Sequence, residues 1–489
     1  MRSREDIKLI FGMKLKKLRT EKGYSLQELS RKTDISVSYL NEIEKGKKYP
    51  KADKIADLAE ALEIPYDQLI SLKLQKNLTT VGQVLNFEII HSIPFETFGM
   101  DKKAIMNMIA DEPAKMAAFF NTIIELAGHY QVKPDHFYFT MLRAYIELND
   151  HYFEHIEAAA AEYRLKYGEI SVQPDSTELM HWLEEQHGYQ VMETDFSGFQ
   201  KLRGFRSVFF PQPHPFLLYN SKLTEQQKTF LFGREIGFQI LQLDTRPNTT
   251  SWLKVESYEQ VLNNFYASYF SQALLLERDR MLADLNNLFR QRKWQDMFIL
   301  EMLNRFECSA EMLLQRMSNL LPRYFGAQDL FFIRYSSKEP EKHLKEVSKE
   351  IHLTRQVGNL RHLFSERAYR RWVTKKIVTR LAERAEIEQT DTLIEAVIHE
   401  NEHHQPYFIL SIHRKLPALS HKANSVTLGF LLTESLKQKI RFLHDARLQS
   451  NWLEAFHAGD DQSTDIMRAL QEIEDKENEL ERLKKTLSF

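Results

Sequence analysis

The stretch GYSLQELSRKTDISVSYL, residues 23–40, has the pattern of two short helices joined by a tight turn. Ser25 is the predicted N-cap of the first helix, and Glu28 follows it at the capping-box spacing, which satisfies two backbone amides at a helix start. Ser36 is the predicted N-cap of a second helix, which Gly46 ends. The pair predicts a helix-turn-helix, a motif that places its second helix in the major groove of DNA.

Helical spacing gives this pair an inward and an outward face. The positions expected to face inward are Leu26, Leu29 and Ser30 in the first helix and Val37, Leu40 and Ile43 in the second. The positions left outward near the start of the second helix are Ser36, Ser38, Tyr39, Asn41 and Glu42. Further helices are expected over residues 6–22, over residues 51–62 and from Pro65, an N1 proline. The sequence therefore predicts five helices in about 70 residues.

Residues 11–69 resemble the lambda-repressor-like, or Xre-type, DNA-binding domain. The segments FGMKLKKLRTEKGYSLQELS, SYLNEIEKGKKYP and LAEALEIPYDQL carry the resemblance. It implies that Gln27 holds a phosphate or keeps the recognition helix in register. The residues implied to contact DNA are Ser36, Ser38, Tyr39 and Asn41, flanked on the DNA backbone by Lys45, Lys47, Lys48 and Lys51. The alternative for the lysine run is a solvated loop.

Composition limits the other functions of the chain. Its 489 residues allow about three domains, and a net charge of −2 confines any basic DNA-binding face to the N-terminal domain. Cys308 is the single cysteine, which excludes an internal disulfide framework and a cysteine-based zinc cluster and is typical of a reducing cytosol. The sequence has neither a secretory signal nor an 18-residue apolar run. We therefore expect a cytoplasmic protein with no membrane span.

The expected architecture is multidomain and mainly α. It comprises a five-helix DNA-binding domain over residues 1–72, a helical connector over 73–165, an α+β domain over 166–300, a mixed α/β sensor region over 301–450, and a polar linker with a C-terminal helix over 451–489. Within the connector, helices are predicted over 113–130 and 133–163, where an aromatic stripe indicates packing. The last helix, over 464–487, has a short, interrupted heptad pattern that predicts at best a weak coiled coil.

A second motif lies in the α+β domain. SVFFPQPHPFLLYN, residues 207–220, predicts a β-hairpin around a proline-rich turn, and a helix follows it over residues 223–243. A zinc metallopeptidase carries H-E-x-x-H on such a helix, with two imidazoles one turn apart and the glutamate as general base. This chain has Arg234, Glu235 and Phe238 at the three positions. Both imidazole ligands are therefore missing.

The surroundings nevertheless resemble the ImmA/IrrE metallopeptidase-like domain. The following stretch, YEQVLNNFYASYFSQALLL, is similar to that family's E-x-x-A-N-x-F-A helix, and Glu259 stands at the position of its third metal ligand. The resemblance implies a degenerate, non-catalytic domain with no metal, because Glu235 has no metal-bound water to activate. We expect Glu235 to pair with Arg234 or a nearby cation. No cofactor is expected.

The order of these parts resembles the short-chain fatty acyl regulator family of transcription factors. The strand-like runs DLFFIRYS, PYFILSIHR and NSVTLGFLL belong to the final region, as do FECSAEMLLQRMSNLLP and YRRW. The resemblance implies an acyl-CoA thioester, or a related product of acetate and propionate metabolism, as effector. The chain departs from the family around Trp372, where ERAYRRWVTKKIV has no cysteine.

Two clusters in the final region are candidate ligand sites. Arg367, Arg370, Arg371 and Trp372, followed by Lys375 and Lys376, place cations beside an aromatic ring, which suits a nucleotide phosphate and base. The alternative is a solvated helix face. A metal site is conceivable at His399, Glu400, Glu402, His403 and His404. A polar loop is favoured there, because adjacent histidines do not share one helical face.

These patterns predict a sequence-specific DNA-binding regulator that responds to a small molecule. A homodimer is expected, because helix-turn-helix proteins read half-sites related by a twofold axis. One alternative is a peptidase that cleaves a partner repressor, against which the residues at positions 234 and 238 argue. Another is a DNA-binding protein that needs no ligand.

Overall fold

A computed structural model describes residues 4–71, 98–99, 134–166, 173–198, 205–211, 214–249, 257–336, 346–353, 360–415 and 423–453. The chain divides into two compact units. The first comprises residues 1–141 with 256–258, and the second comprises residues 142–255 with 259–489. The helices predicted over 113–130 and 464–487 lie outside the described residues, as does most of the predicted polar linker.

Five short helices make up the N-terminal part of the first unit. They are α1 (Arg4–Glu21), α2 (Leu26–Thr33), α3 (Val37–Glu44), α4 (Ala52–Ala61) and α5 (Tyr66–Ile70). The capping box at the start of α2 is present: Glu28 N donates to Ser25 Oγ at 3.2 Å, and Ser25 N donates to Glu28 Oε2 at 2.7 Å. Pro65 was predicted to be the first residue of α5, but it is the N-cap of this helix. The five-helix prediction is confirmed.

The core of these helices matches the predicted inward face at Leu29, Leu40 and Ile43, which have no exposed surface. Leu26 and Ser30 are half-buried, whereas Val37 has 39 % of its surface exposed. A helical side chain leans towards the N-terminus of its helix, so the side chain of the first residue of α3 extends past the packed body. Gly12 permits a close approach of α1 to α3, because a Cβ there would lie 2.2 Å from the carbonyl oxygen of Ile43.

Helices also dominate the described residues between 134 and 325. They are α6 (Pro134–Leu148), α7 (Glu154–Lys166), α8 (Ser176–His187), α9 (Glu225–Ile240), α10 (Tyr258–Leu275), α11 (Arg278–Phe289), α12 (Asp296–Arg305) and α13 (Ala310–Leu320), with a 3-10 turn at Phe196–Gly198 and a π-helical turn at Leu321–Phe325. The prediction of one helix over 133–163 is wrong. Asp150 and His151 adopt positive φ angles of 51° and 61°, which end α6 and turn the chain into α7.

A three-stranded sheet precedes α9. It contains β1 (Gln190–Thr194), β2 (Ser207–Phe210) and β3 (Phe216–Asn220), in the order β1-β3-β2. Strands β2 and β3 form the predicted antiparallel hairpin, whereas the parallel partner β1 was not predicted. Helix α9 packs closely on α10, because a Cβ at Gly237 would lie 3.0 Å from the carbonyl oxygen of Ala267.

A five-stranded antiparallel sheet forms the C-terminal region. Its strands are β4 (Gln328–Ser336), β5 (Glu346–Leu353), β6 (Thr392–Glu400), β7 (Pro406–Lys415) and β8 (Ala423–Leu431), in the order β5-β4-β8-β7-β6. The helical elements are α14 (Leu360–Glu388) and α15 (Glu434–Lys439), followed by 3-10 turns at Arg441–His444 and Ala446–Leu448. Strands β4, β7 and β8 correspond to the three predicted runs, whereas β5 and β6 were not predicted.

Both faces of this sheet are buried. Helix α14 packs on one face through a cluster that includes Val373 and Ile377 with Phe331 and Ile409 of the strands. The opposite face belongs to the large core that α13 shares. None of the described helices combines the length and apolar character that a membrane crossing requires.

Candidate nucleic-acid interface and the Glu235 cluster

The N-terminal half of α3 presents polar side chains to solvent. Gln27 of α2, Ser36 and Ser38 are exposed, and Asn41 is half-buried. Ser36 Oγ accepts a hydrogen bond from Tyr39 N at 3.2 Å, so this hydroxyl caps the helix as well as facing outward. Tyr39 is half-buried against the domain core. Ser36, Ser38, Tyr39 and Asn41 therefore lie together at the start of α3.

Lysines surround the other end of α3. Lys47, Lys48 and Lys51 are exposed and Lys45 is half-buried. The loop is held at Gly46, which has a φ of +69°, and by a hydrogen bond from Lys47 N to Glu42 O at 2.9 Å. Among the residues that the structure describes, none of these four lysines has an ion-pair partner. Their charges are free to meet phosphates.

The sequence did not reveal what holds α3 in place. Arg19 of α1 forms a two-fold pair with Glu44, with Nε to Oε1 at 2.6 Å and Nη2 to Oε2 at 2.9 Å. Its Nη1 also donates to the carbonyl oxygen of Tyr24 at 2.7 Å. The Arg19 and Glu44 side chains are only 14 % and 5 % exposed. The pair fixes the last residue of α3 to α1 and to the segment that precedes α2.

Glu235 lies at the centre of a buried charge cluster on α9. Its carboxylate has no exposed surface and accepts from Arg234 Nη2 at 3.0 Å and from Arg246 Nη2 at 2.5 Å. Burial opposes ionisation of Glu235, but Arg246 and Arg234 outweigh it and hold the pKa of this carboxyl below its ordinary value. Glu235 is therefore charged and neutralised within the protein.

Arg246 reaches this cluster from the segment after α9. Its guanidinium lies between two aromatic rings, 3.8 Å from the centroid of Phe209 and 3.9 Å from that of Phe238. The segment is anchored to β2 by a hydrogen bond from Phe209 N to Asn248 O at 2.8 Å. Sequence reasoning missed Arg246, because its contact with Glu235 depends on how the segment folds back over the strand.

A zinc ion does not fit these residues. Arg234 and Phe238 replace imidazole ligands, and the Arg246 guanidinium occupies the surroundings of the Glu235 carboxylate. Glu259 is exposed in the first turn of α10, whereas Glu235 is fully buried. Over the described part of the chain, no group of three or more His, Cys, Asp and Glu side chains is arranged to hold a metal ion.

The candidate effector residues lie at the buried side of α14. Arg370 is fully buried and Trp372 is 8 % exposed, so the alternative of a solvated helix face is wrong for both. Arg371 pairs with Glu350 through Nη2 and Oε2 at 2.7 Å. Lys375 and Lys376 are exposed.

The histidine-rich segment contains the end of β6 and its turn to β7. His399 is buried in the strand, and its Nδ1 lies 3.2 Å from Tyr369 Oη. Glu402 and the two following histidines belong to the turn. The expected polar loop therefore begins after Glu400, and His399 is a core residue.

Two family models match the chain. Residues 12–74 match a helix-turn-helix domain, and residues 184–318 match the IrrE N-terminal-like domain. These matches confirm the Xre-like domain and the ImmA/IrrE-like domain.

Two curated relatives and one solved structure are similar to the chain. The uncharacterised HTH-type transcriptional regulator YazB of Bacillus subtilis (strain 168) is 40 % identical over 60 residues, which are 12 % of this chain and 87 % of that protein. The uncharacterised HTH-type transcriptional regulator y4dJ of Sinorhizobium fredii (strain NBRC 101917 / NGR234) is 29 % identical over 66 residues, or 14 % of this chain and 86 % of the relative. A structure titled "Mycobacterium tuberculosis transcriptional regulator" has a TM-score of 0.41 and 16 % identity over 62 % of this chain and 83 % of that chain.

Proposed function

The chain belongs to the helix-turn-helix transcriptional regulators, and we propose that it binds its operator as a homodimer and responds to a small metabolite. One observation carries the DNA-binding part. The serines at the start of α3 and three of the four lysines after it are exposed, and no ion pair neutralises those lysines among the described residues. Base edges in the major groove are read by polar side chains, whereas phosphates attract cations.

The roles within this surface follow from its chemistry. Ser38 and Asn41 have the size and polarity to contact base edges, with Tyr39 beside them and Ser36 capping the helix. Gln27, at the start of α2, and the lysines at positions 45, 47, 48 and 51 meet the DNA backbone. A dimer is part of the proposal because two such domains read half-sites about one helical turn apart.

The metabolite response is supported by the order of the domains. An Xre-like domain, an IrrE-like domain and a C-terminal α/β region follow one another, and this order resembles the short-chain fatty acyl regulator family. On that basis we propose a short-chain acyl-CoA thioester as the effector. It would change DNA affinity by binding one of two arrangements of the dimer more tightly.

The test is DNA binding by the purified full-length protein at fixed salt. Fluorescence anisotropy with its own upstream DNA would be titrated with and without acetyl-CoA, propionyl-CoA and butyryl-CoA. The proposal predicts specific binding and a change in affinity with at least one thioester. Specific binding that no thioester alters would keep the DNA-binding regulator and overturn the metabolite response.

We also propose that the IrrE-like domain is non-catalytic. The Glu235 carboxylate is neutralised by two guanidinium groups, so it does not act as a general base on a metal-bound water. The alternative is a metallopeptidase that cleaves a partner protein. Metal analysis of the purified protein separates the two, because stoichiometric zinc would contradict the non-catalytic proposal.

A further inference from the structure

The buried charges around Glu235 do not balance. Its carboxylate accepts from Arg234 Nη2 at 3.0 Å and from Arg246 Nη2 at 2.5 Å. The Tyr189 hydroxyl accepts from Arg246 Nη1 at 3.4 Å. Burial raises the pKa of Tyr189 to about 12, so this hydroxyl is uncharged at neutral pH. Two positive charges therefore share a single negative charge.

No second carboxylate supplies the missing charge. Within the described ranges, Glu235 is the only ion-pair partner of Arg234 and of Arg246. Burial lowers the pKa of Arg234, but a guanidinium group stays protonated in proteins, so loss of a proton does not remove the surplus charge. A buried cation without a counter-charge is destabilising, and an anion from outside the chain would offset this.

The two arginines also have N–H groups that form no hydrogen bond. A guanidinium group has five N–H donors, and Arg234 forms one hydrogen bond over the described part of the chain, to Glu235. The Nε atoms of Arg234 and Arg246 are both buried with no acceptor among the same residues. The two guanidinium carbons lie 5.8 Å and 3.9 Å from the centroid of the same Phe238 ring. Unused donors and surplus positive charge are therefore found at one place.

Arg234 is the member of this cluster that a ligand can contact most easily. Its side chain is 11 % exposed, whereas that of Glu235 has no exposed surface. Arg246 is held between two rings, with its guanidinium carbon 3.8 Å from the centroid of Phe209 and 3.9 Å from that of Phe238. Stacking and the bond to Glu235 therefore fix Arg246, and Arg234 has donors left for a ligand.

We propose that Arg234 binds an oxyanion, a carboxylate or a phosphate group of the effector. Guanidinium groups bind both with paired, charge-assisted hydrogen bonds. The oxyanion would accept from the unused N–H groups of Arg234, and a single negative charge would bring the cluster to neutrality. This inference rests on the proposed metabolite response, for which it names a contact residue and the chemistry.

Two substitutions should change anion binding in opposite directions. Arg234→Gln removes the surplus charge and leaves Glu235 paired with Arg246, so this variant should fold and bind an anion about tenfold or more weakly. Glu235→Gln keeps both guanidinium groups and removes the carboxylate that competes for them. Its affinity for an anion should rise by about fivefold or more.

The test is calorimetric titration of the full-length protein at fixed ionic strength with three probes. Propionate supplies a carboxylate alone, inorganic phosphate a phosphate alone, and propionyl-CoA carries phosphates on a larger molecule. We expect saturable binding of at least one probe, weakened in Arg234→Gln and strengthened in Glu235→Gln. Binding of propionate alone identifies a carboxylate ligand, whereas binding of inorganic phosphate or of propionyl-CoA identifies a phosphate.

The matched control is Arg290→Gln, which removes one positive charge from an exposed position at the end of α11. It should bind the probes as the wild type does. Thermal unfolding checks that each variant folds, and Arg234→Gln decides the test if Glu235→Gln does not fold. The proposal is overturned if no probe binds, if Arg234→Gln binds like the wild type, or if folded Glu235→Gln binds no more tightly.

DNA binding separates this proposal from the function on which it rests. If propionyl-CoA changes the DNA affinity of Arg234→Gln as it does that of the wild type, the metabolite response stands and the site is wrong. If a probe binds through Arg234 but no thioester changes DNA affinity, the site stands and the metabolite response is wrong.

Discussion

Arg246 Nη2 donates a hydrogen bond to Glu235 Oε2 at 2.5 Å, so that a cation and a carboxylate from different segments meet in the interior. The aromatic rings on either side of Arg246 orient its planar guanidinium. In a metallopeptidase the positive charge next to this glutamate comes from the metal. Here the chain supplies it, so this domain needs no metal to neutralise Glu235.

Removing that cation should destabilise the second unit. We expect Arg246→Ala to lower its free energy of unfolding by about 3 kcal/mol, because the substitution breaks a buried ion pair and empties the space between two rings. Arg246→Lys should recover only part of the loss, since an ammonium group does not stack as a planar guanidinium does. Urea unfolding followed by circular dichroism measures both.

The control for this prediction is Lys437→Ala, which removes an exposed ion pair with Glu434 on α15. It should change the stability by no more than about 0.5 kcal/mol. Equal effects of the substitutions at Arg246 and Lys437 would show that the buried pair has no special role.

The pair between Arg19 and Glu44 should set the position of the recognition helix. Arg19→Met is expected to cost about 3 kcal/mol of the stability of the N-terminal domain, because it leaves Glu44 buried without its partner. The double variant with Glu44→Gln should be more stable than the sum of the single changes predicts. A double-mutant cycle on thermal unfolding, read together with DNA affinity, measures the coupling.

An exposed pair in the same domain serves as the control. Lys22 and Glu63 are 37 % and 72 % exposed, and Lys22→Met should have little effect on folding or DNA binding. If Arg19→Met weakens neither folding nor DNA binding, then α3 is positioned by its apolar contacts alone.

The sequence was informative where the signals are local. The capping spacing of Ser25 and Glu28 located α2, and the proline-rich turn between two apolar runs located the hairpin of β2 and β3. Strand β5 was missed because its charged residues hide the apolar alternation. Glu350 and His352 are buried in it only because they pair with each other and with α14.

Contacts between distant segments limited the prediction of the sites. Nothing local to Arg246 marks it as part of a cluster, because its partner Glu235 lies on another element. The sequence alone identified the motif at Glu235 as degenerate, because the residue types at 234 and 238 exclude two metal ligands. The group that neutralises Glu235 in place of a metal, the Arg246 guanidinium, could be identified only from the fold.

His151 should make the second unit less stable in acid. It is almost fully buried, and burial lowers its pKa from 6.5 to about 4. Between these values the unfolded chain binds the proton and the folded chain does not, so stability falls as the pH drops from 6.5 towards 4 and is fully present above that range. This residue alone should cost about 2 kcal/mol between about pH 7 and pH 5.

Urea unfolding of the wild type and of His151→Gln at the two pH values isolates this contribution. The variant should lose less stability on acidification than the wild type does. His181→Gln, at an exposed histidine of α8, should keep the wild-type pH dependence. Identical pH dependence in His151→Gln and the wild type would contradict the assignment.

Substitutions in the two parts of the proposed DNA surface should change DNA binding in different ways. Lys47→Ala is expected to weaken binding to all DNA sequences about equally and to lower the slope of log affinity against log salt by about one, because it removes one phosphate contact. Asn41→Ala should leave that slope unchanged and reduce discrimination among operator variants by about 1–3 kcal/mol at one base pair. Anisotropy titrations at several salt concentrations, on the operator and on single-base variants, measure both quantities. Altered sequence preference in Lys47→Ala would place this lysine at the bases, contrary to the role proposed for the loop.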